Sequence, residues 1–512
     1  MSNQRVVIVG AGFGGLAAAI ELRRNGFEDV VILERGPDLG GTWRDNTYPG
    51  AACDVPSHLY SLSYAQRRDW SRLCSPQDEI LRYLHDVARE HGVDRLVVPD
   101  TEVTACRWDD ARARWTLETA GDGDDYEADA IVLATGQLHR PAFPTIPDRE
   151  RFAGRAFHSA QWDHDYDLRD KRVAVIGTGA SAVQFVPEIA RQAARLVVFQ
   201  RTGNWFMPRR NRPYPRAWRA AIRAIPGLQG WRRRFVYEYG ESLTAMIRHP
   251  RTAGLVGAAR SWSFMRWQLR GHPELRRAVW PDYTFGCKRV LFSSHFLPAL
   301  TRPNVDLVTE HVERMDERGP VTADGRVHDV DCIIYATGFA TTKFMFPMEV
   351  TGADGIALRD TWREGASAYL GMAVPGYPSM FIMYGPNTNT SGGSILVYLE
   401  AQAAYLRQAL QQVRARGAAA LDVRPEVAAA EDRKVQGRFA GTAWTRCDSW
   451  YRNAEGRIVA NWPGYMREYV ARTATLHPDE YRFIPVAGTA ADGDGDADAD
   501  ADADQRRESF KV

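Results

Sequence analysis

The chain has 512 residues, 45% of them hydrophobic and 25% charged, with a formal net charge of +1. At about 150 residues per domain this length suggests about three domains with ample material for a large core. The near-neutral balance gives no reason to expect nucleic acid or acidic partners, and no run of about 20 apolar residues is present to span a membrane.

In chain order, VVIV at residues 6–9 reads as a buried parallel strand and residues 16–24 as the helix that follows it. Between them lies Gly10-Ala11-Gly12-Phe13-Gly14-Gly15. Gly10 permits the tight turn, Gly12 lets the backbone approach a pyrophosphate, and Gly15 allows close packing of helix on strand. The next strand, VVILE, ends in Glu34, about 20 residues beyond the turn, where an acid hydrogen-bonds ribose hydroxyls. The apolar N-terminus can also pass for a secretory signal, but cleavage there would destroy the turn, so a cytoplasmic protein is expected.

Strand and helix are expected to alternate through Asp148 as an open parallel sheet. AIVLATG at residues 130–136 runs an apolar strand into small residues that let the chain cross close to a dinucleotide. A run containing Phe152, Gly154, His158, Trp162 and Asp163 precedes a second strand, RVAVIG, and a second glycine turn with Gly177, Gly179 and Ser181. A helix is expected from about 180 to 194. The following strand closes with Gln200-Arg201-Thr202 and offers no carboxylate where the first unit has Glu34. An acid there would repel a 2′-phosphate, whereas the Arg201 guanidinium can pair with it. The first turn is therefore read as an FAD site and the second as an NADPH site.

Residues 205–281 are rich in Arg, Trp and other aromatic residues at helical spacing and read as a helical insertion. That basic aromatic character also suits a membrane surface or a nucleic-acid face, although substrate access is the expected task. A second ATG strand, CIIYATG, occupies residues 332–338 and marks the return of the chain toward the flavin domain. The Asp-Ala-Gly repeat from about Gly488 cannot bury a core and is expected to be disordered. Six cysteines are scattered without a C-x-x-C pair, which argues for a reducing compartment and against the dithiol-disulfide reductases.

These residues match a known pattern. The chain resembles the class B flavoprotein monooxygenases and, within them, the type I Baeyer-Villiger monooxygenases, on F-x-G-x-x-x-H-x-x-x-W followed by Pro or Asp, met by Phe152, Gly154, His158, Trp162 and Asp163. The resemblance runs from Val6 to about Tyr481, and GTWRDNTYPGAACDVPSHLYS, PDYTFGCKR and YGPNTNTSGGS look most like the 4-hydroxyacetophenone monooxygenase branch. It implies an α/β fold with two Rossmann-like dinucleotide-binding domains, for FAD and NADPH, and a helical insertion in the NADPH domain. The FAD domain would comprise 1–150 and 339–487, the NADPH domain 151–205 and 286–338, with the insertion at 206–285 and an acidic tail at 488–512.

The implied reaction is NADPH- and O2-dependent insertion of one oxygen atom beside a ketone carbonyl through a C4a-peroxyflavin, giving an ester or lactone. Arg289 matches the cation that stabilises negative charge, and Lys288 matches a position that helps hold the 2′-phosphate. Asp54 matches the acid that orients the arginine beside the flavin. Gly41, Thr42 and Trp43 match the family's flavin contacts, and Trp450 matches the anchor of a mobile loop over the nicotinamide. His158 falls at the domain junction and acts indirectly; no second His or Cys stands at ligand spacing, so no metal is expected. The sequence departs from the family pattern at Phe339-Ala340, where many relatives carry Phe-Asp, and from the better-known ring-ketone enzymes along RNAEGRIVANWPG after the loop. An N- or S-oxygenating monooxygenase and a non-catalytic flavoprotein sensor are the alternatives. The choice of ketone and the oligomeric state are not legible.

Overall fold

Four apolar residues in a row leave a strand no solvent face, and Val6–Val9 accordingly lies at the centre of a five-stranded sheet. A computed structural model describes residues 4–486 apart from 122, 210 and 391, so the acidic run at 488–512 lies outside the described residues. The order across this first sheet is Met380–Ile382, Ala130–Leu133, Val6–Val9, Val30–Leu33, Val97–Val98, and every pair is parallel. Val6 stands opposite Val30 on one side and Ala130 on the other. The helix Phe13–Arg24 covers one face and packs against the long helix Ile395–Ala415, so residues nearly 400 apart share one core.

A second parallel sheet repeats the plan, in the order Val305–Val308, Arg195–Phe199, Arg172–Ile176, Cys332–Tyr335, Arg155–His158. Its crossover helix, Ala182–Ile189, is shorter than the expected 180–194. Asn304 explains the early stop, because its side-chain amide donates to the carbonyls of Ala190 and Ala193 and satisfies the helix end.

The expected alternation of strand and helix up to Asp148 fails between 103 and 128. Val103–Asp109, Arg114–Thr119 and Tyr126–Ala128 form an antiparallel meander, extended by Glu349–Thr351. Val103, Ala105 and Trp108 are buried while Thr104 and Arg107 are exposed, the near two-residue alternation of a sheet with one wet face. The run before the second glycine turn is also more than a linker, since Arg155–His158 forms the edge strand of the second sheet.

The insertion is helical, with Arg216–Ala224, Leu228–Arg248, Ala253–Gln268 and Pro273–Ala278. Met265 and Leu269 enter the core of the second sheet, while Ile247 packs with Trp444, Tyr451 and Trp462 from the C-terminal region. The insertion thereby bridges the second sheet and the C-terminal segment.

Candidate functional site

Each glycine turn is pressed against the ATG segment of its own sheet. Gly10 has φ +105°, and a Cβ there would lie 2.7 Å from the Ala134 carbonyl oxygen; Gly177 has φ +107°, and its Cβ would lie 2.5 Å from that of Ala336. Only glycine fits such a crossing. Gly15 packs its helix on the turn, since a Cβ would meet the Gly10 oxygen at 1.9 Å. A Cβ on Gly179, by contrast, would meet open space, and one on Gly12 would meet only Gly41 Cα at 3.8 Å; both residues border the cavity, as a backbone that receives a phosphate requires.

Both turns open into one cavity of about 1890 Å³. A small-molecule cleft is typically about 300–1,000 Å³, so this space exceeds the needs of a single small ligand. Gly10, Gly12, Glu34, Gly41, Thr42, Trp43 and Asp54 border it from the first unit, and Gly177, Gly179, Ser181, Arg201, Lys288, Arg289 and Trp450 from the rest. Gly15 and the run from Phe152 to Asp163 do not.

The lining fits two dinucleotides. Glu34 is 5% exposed and accepts from the backbone N–H of Ala11 and Gly36 and from Arg44, at 2.8, 2.9 and 2.9 Å. Its Oε2 takes only one of these bonds and keeps capacity for a ribose hydroxyl. The first turn and Gly41 approach so closely that a Cβ on Gly41 would be 3.2 Å from Gly12 Cα. At the second turn, burial and then the nearby Arg201 charge lower the Lys288 pKa. Two cations held together in this way suit a doubly charged phosphate. Ser449 Oγ, bordering the same cavity, is buried without a hydrogen-bond partner among the described residues.

Asp54 sits between two arginines. Its Oδ2 accepts from Arg289 Nη2 at 2.9 Å, and its Oδ1 from Arg209 Nη1 and Gln184 Nε2 at 3.2 Å each. Arg209 and Asp54 are each 11% exposed, and Arg209 also donates to the Cys53 carbonyl at 2.8 Å. Arg289 keeps 46% of its side chain accessible although protein surrounds it, because that surface faces the cavity. Burial by itself would lower the Arg289 pKa; Asp54, then Tyr451 and Tyr384, outweigh it and raise it. Burial pushes Tyr384 up to about 12 and Tyr451 upward, so both phenols stay neutral beside the guanidinium.

Cys287 and Cys447 form a disulfide with Cα atoms 6.1 Å apart, joining the segment before Lys288-Arg289 to the segment before Ser449-Trp450-Tyr451. The cysteines are thus scattered in sequence but not all apart in the fold, which removes the support that their spacing gave to a reducing compartment: a separation of 160 residues does not bound distance in the fold. Cys53, Cys74, Cys106 and Cys332 are free and buried.

The run from Phe152 to Asp163 lies at the seam of the two sheets. His158 is fully buried, its Nδ1 accepts the Ala160 N–H at 3.1 Å, and its ring lies against Phe143 at 5.4 Å and Phe339 at 6.0 Å. Burial lowers its pKa to about 4, so it is neutral at pH 7, and it stands behind Phe143 and Phe339, which line the cavity, without bordering the cavity itself. Phe152 crowds Gly154, where a Cβ would be 2.5 Å from the ring. Trp162 packs on Phe157 and Phe185, and Asp163 binds Arg155 at 2.5 Å.

Sequence reasoning missed Arg209 and Gln184. The only signal was position, a few residues beyond Arg201 and Ser181, and nothing in Pro208-Arg209 or Val183-Gln184 indicates a partner near residue 54.

A family model described as "Pyridine nucleotide-disulphide oxidoreductase" matches residues 7–216, the stretch that carries both glycine turns. The Cys287–Cys447 bridge falls outside that stretch. A "Baeyer-Villiger monooxygenase" of Streptomyces coelicolor is 42% identical over 484 residues, covering 94% of this chain and 92% of the relative. A structure described as "Oxidized steroid monooxygenase bound to NADP" superposes with a TM-score of 0.83 at 30% identity, covering 95% of this chain and all of the other. "OTEMO complex with FAD and NADP" gives a TM-score of 0.83 at 25% identity over 94% of this chain and 99% of the other.

Proposed function

The chain belongs to the Baeyer-Villiger monooxygenases, and from that premise we propose which of its residues perform the reaction. The protein is an FAD-containing, NADPH- and O2-dependent enzyme that inserts one oxygen atom beside a ketone carbonyl, giving an ester or lactone. We assign it to the 4-hydroxyacetophenone monooxygenase-like branch, on the three motifs around Trp43, Arg289 and Asn387, and to the cytoplasm. The FAD domain is read as 1–150 with 339–487, and the NADPH domain as 151–205 with 286–338.

The flavin, reduced by NADPH, supplies oxygen activated for attack on a carbonyl. The chain's residues position and protect that chemistry. Glu34 would hold the ribose of FAD at the first turn, and Gly41, Thr42 and Trp43 would contact the flavin. Arg201 and Lys288 would hold the 2′-phosphate that marks NADPH, and Gly177, Gly179 and Ser181 would receive its pyrophosphate. Trp450 and its loop close over the nicotinamide and exclude water, which would otherwise divert oxygen to hydrogen peroxide.

As oxygen enters, negative charge develops on the ketone oxygen, and Arg289 answers it. A guanidinium has five donors; Asp54 engages Nη2 and leaves donors on the cavity side. It stays charged in a dry site, where a lysine would shift its pKa. The observation that carries this reading is Arg289 anchored on Asp54 at the wall of the one cavity that both glycine turns share.

Isotopically labelled O2 with a panel of aryl, linear and cyclic ketones plus a thioether, read by mass spectrometry, tests it. Label is expected in an ester or lactone. Arg289→Ala is expected to retain FAD and lose ester formation by at least about 10²-fold, the usual effect of removing one oxyanion donor; ester at the parental rate would reject the assignment. Asp54→Ala should impair oxygenation more than FAD binding.

A further inference from the structure

The helices that roof the cavity carry an outer face made of arginine and apolar side chains. Residues 206–285 hold sixteen arginines against four acids in a chain whose net charge is only +1, so the remainder of the chain is net acidic. Ala253–Gln268 shows how the face is built. Gly254, Gly257, Ser261 and Met265 turn inward, Gly257 against Phe285 and Ser261 donating to the Phe206 carbonyl at 2.7 Å. The opposite side therefore points out, and on it Leu255, Val256, Trp262 and Trp267 are 62, 63, 44 and 57% exposed. Arg260, Arg266 and Arg270 stand exposed among them, without a carboxylate partner among the described residues. The neighbouring helix adds Trp231 and Phe235, stacked at 5.8 Å and 60 and 52% exposed.

We propose that this face lies on an anionic lipid surface and presents the cavity mouth to it. Tryptophan at the headgroup level, aliphatic residues beneath and guanidiniums reaching phosphate are the pattern of a helix lying in a membrane interface. No helix among the described residues is long and apolar enough to cross a membrane, so the attachment is peripheral. A second copy of the chain fits less well, because a two-fold contact would set one arginine-rich face on another. A nucleic acid would pair the arginines but leave Leu255 and Val256 in water.

The location gives the surface a use. Phe235 and Arg260 are exposed on this face and also border the cavity, beside Tyr239, Leu243 and Ile247. A ketone that partitions into lipid would enter from the bilayer without crossing water; this substrate class rests on the functional reading above, whereas the lipid contact does not.

The test is co-sedimentation of the full-length holoenzyme with phosphatidylcholine vesicles, with and without phosphatidylglycerol. Binding is expected only with the anionic lipid and should weaken with added salt. The Arg266→Glu/Arg270→Glu and Trp262→Ser/Trp267→Ser variants should each bind about tenfold less or weaker still, since one cation at an anionic surface is worth roughly a fivefold change. Both variants should keep the parental melting temperature and turnover of a water-soluble ketone. Equal pelleting with neutral lipid, or undiminished binding by both variants, overturns the proposal. So does a concentration-dependent dimer that Trp262→Ser/Trp267→Ser dissociates, or binding that emerges only after removal of the acidic tail at 488–512. Vesicle binding without any oxygenated product would sink the functional reading and leave the lipid contact standing.

Discussion

Asp54 accepts from two guanidiniums, and the second alters what the first can do. A lone Asp54–Arg289 pair would be close to neutral, whereas Arg209 on the opposite oxygen makes the group net cationic where the proposed mechanism places negative charge. Arg209→Ala is expected to retain FAD but to lower ester formation about 10- to 100-fold, the range for one lost charge-assisted hydrogen bond, with a matching rise in hydrogen peroxide per NADPH. Arg209→Lys should recover part of the loss. Parental coupling in Arg209→Ala, measured as product against NADPH consumed, would remove it from the site. Asp54 and Arg289 were legible through family motifs. Arg209 was not, because its partner lies 155 residues away and Pro208-Arg209-Arg210-Asn211 reads as ordinary surface charge.

Elements were legible where their signal is local. Strand, glycine turn, helix and strand-terminal Glu34 or Arg201 are a contiguous pattern, and the structure places them within a few residues of expectation. The 103–128 meander was missed because two-residue alternation over short strands competes poorly with the parallel pattern on either side. The disulfide was unreadable for another reason: six cysteines allow fifteen complete pairings, and nothing in a sequence ranks them. It tethers the segment before Trp450 to the segment before Arg289, so the closure proposed for that loop would start from a fixed point. Reduction with dithiothreitol is expected to raise the KM for NADPH and increase peroxide release while leaving FAD bound. Cys447→Ser should show both changes from the outset and no response to the reductant. An oxidised and a reduced enzyme with the same KM and coupling would show that the tether is dispensable.

At the scale of the whole molecule, the chemistry depends on how two similar sheets are set against each other, which no local pattern specifies. Two groups of contacts at the seam lie nearest the site. His158 sits between Phe143 and Phe339 on one side. On the other, Gln184 accepts from the Tyr48 hydroxyl at 3.1 Å and the Ala52 N–H at 3.2 Å, and donates to the Ala52 carbonyl at 2.9 Å and to Asp54 at 3.2 Å. The approach is close enough that a Cβ on Gly50, at φ +80°, would lie 2.8 Å from the Gln184 carbonyl oxygen. Gln184 thus ties the helix after the second glycine turn to the segment that carries Asp54, and on the proposed mechanism it would couple the placement of the nicotinamide half to that of Arg289. Gln184→Leu keeps the side-chain bulk but removes all four bonds, each worth about 0.5–1.5 kcal/mol net. FAD occupancy, read by absorbance, should be unchanged because no first-turn residue is touched. Ester formed per NADPH should fall severalfold and hydrogen peroxide should rise in compensation, while Gln184→Glu, which preserves the acceptor toward Tyr48 and Ala52, should fall between. A Gln184→Leu enzyme that melts earlier yet keeps parental coupling would mean that this contact stabilises the seam without setting the geometry of the reaction.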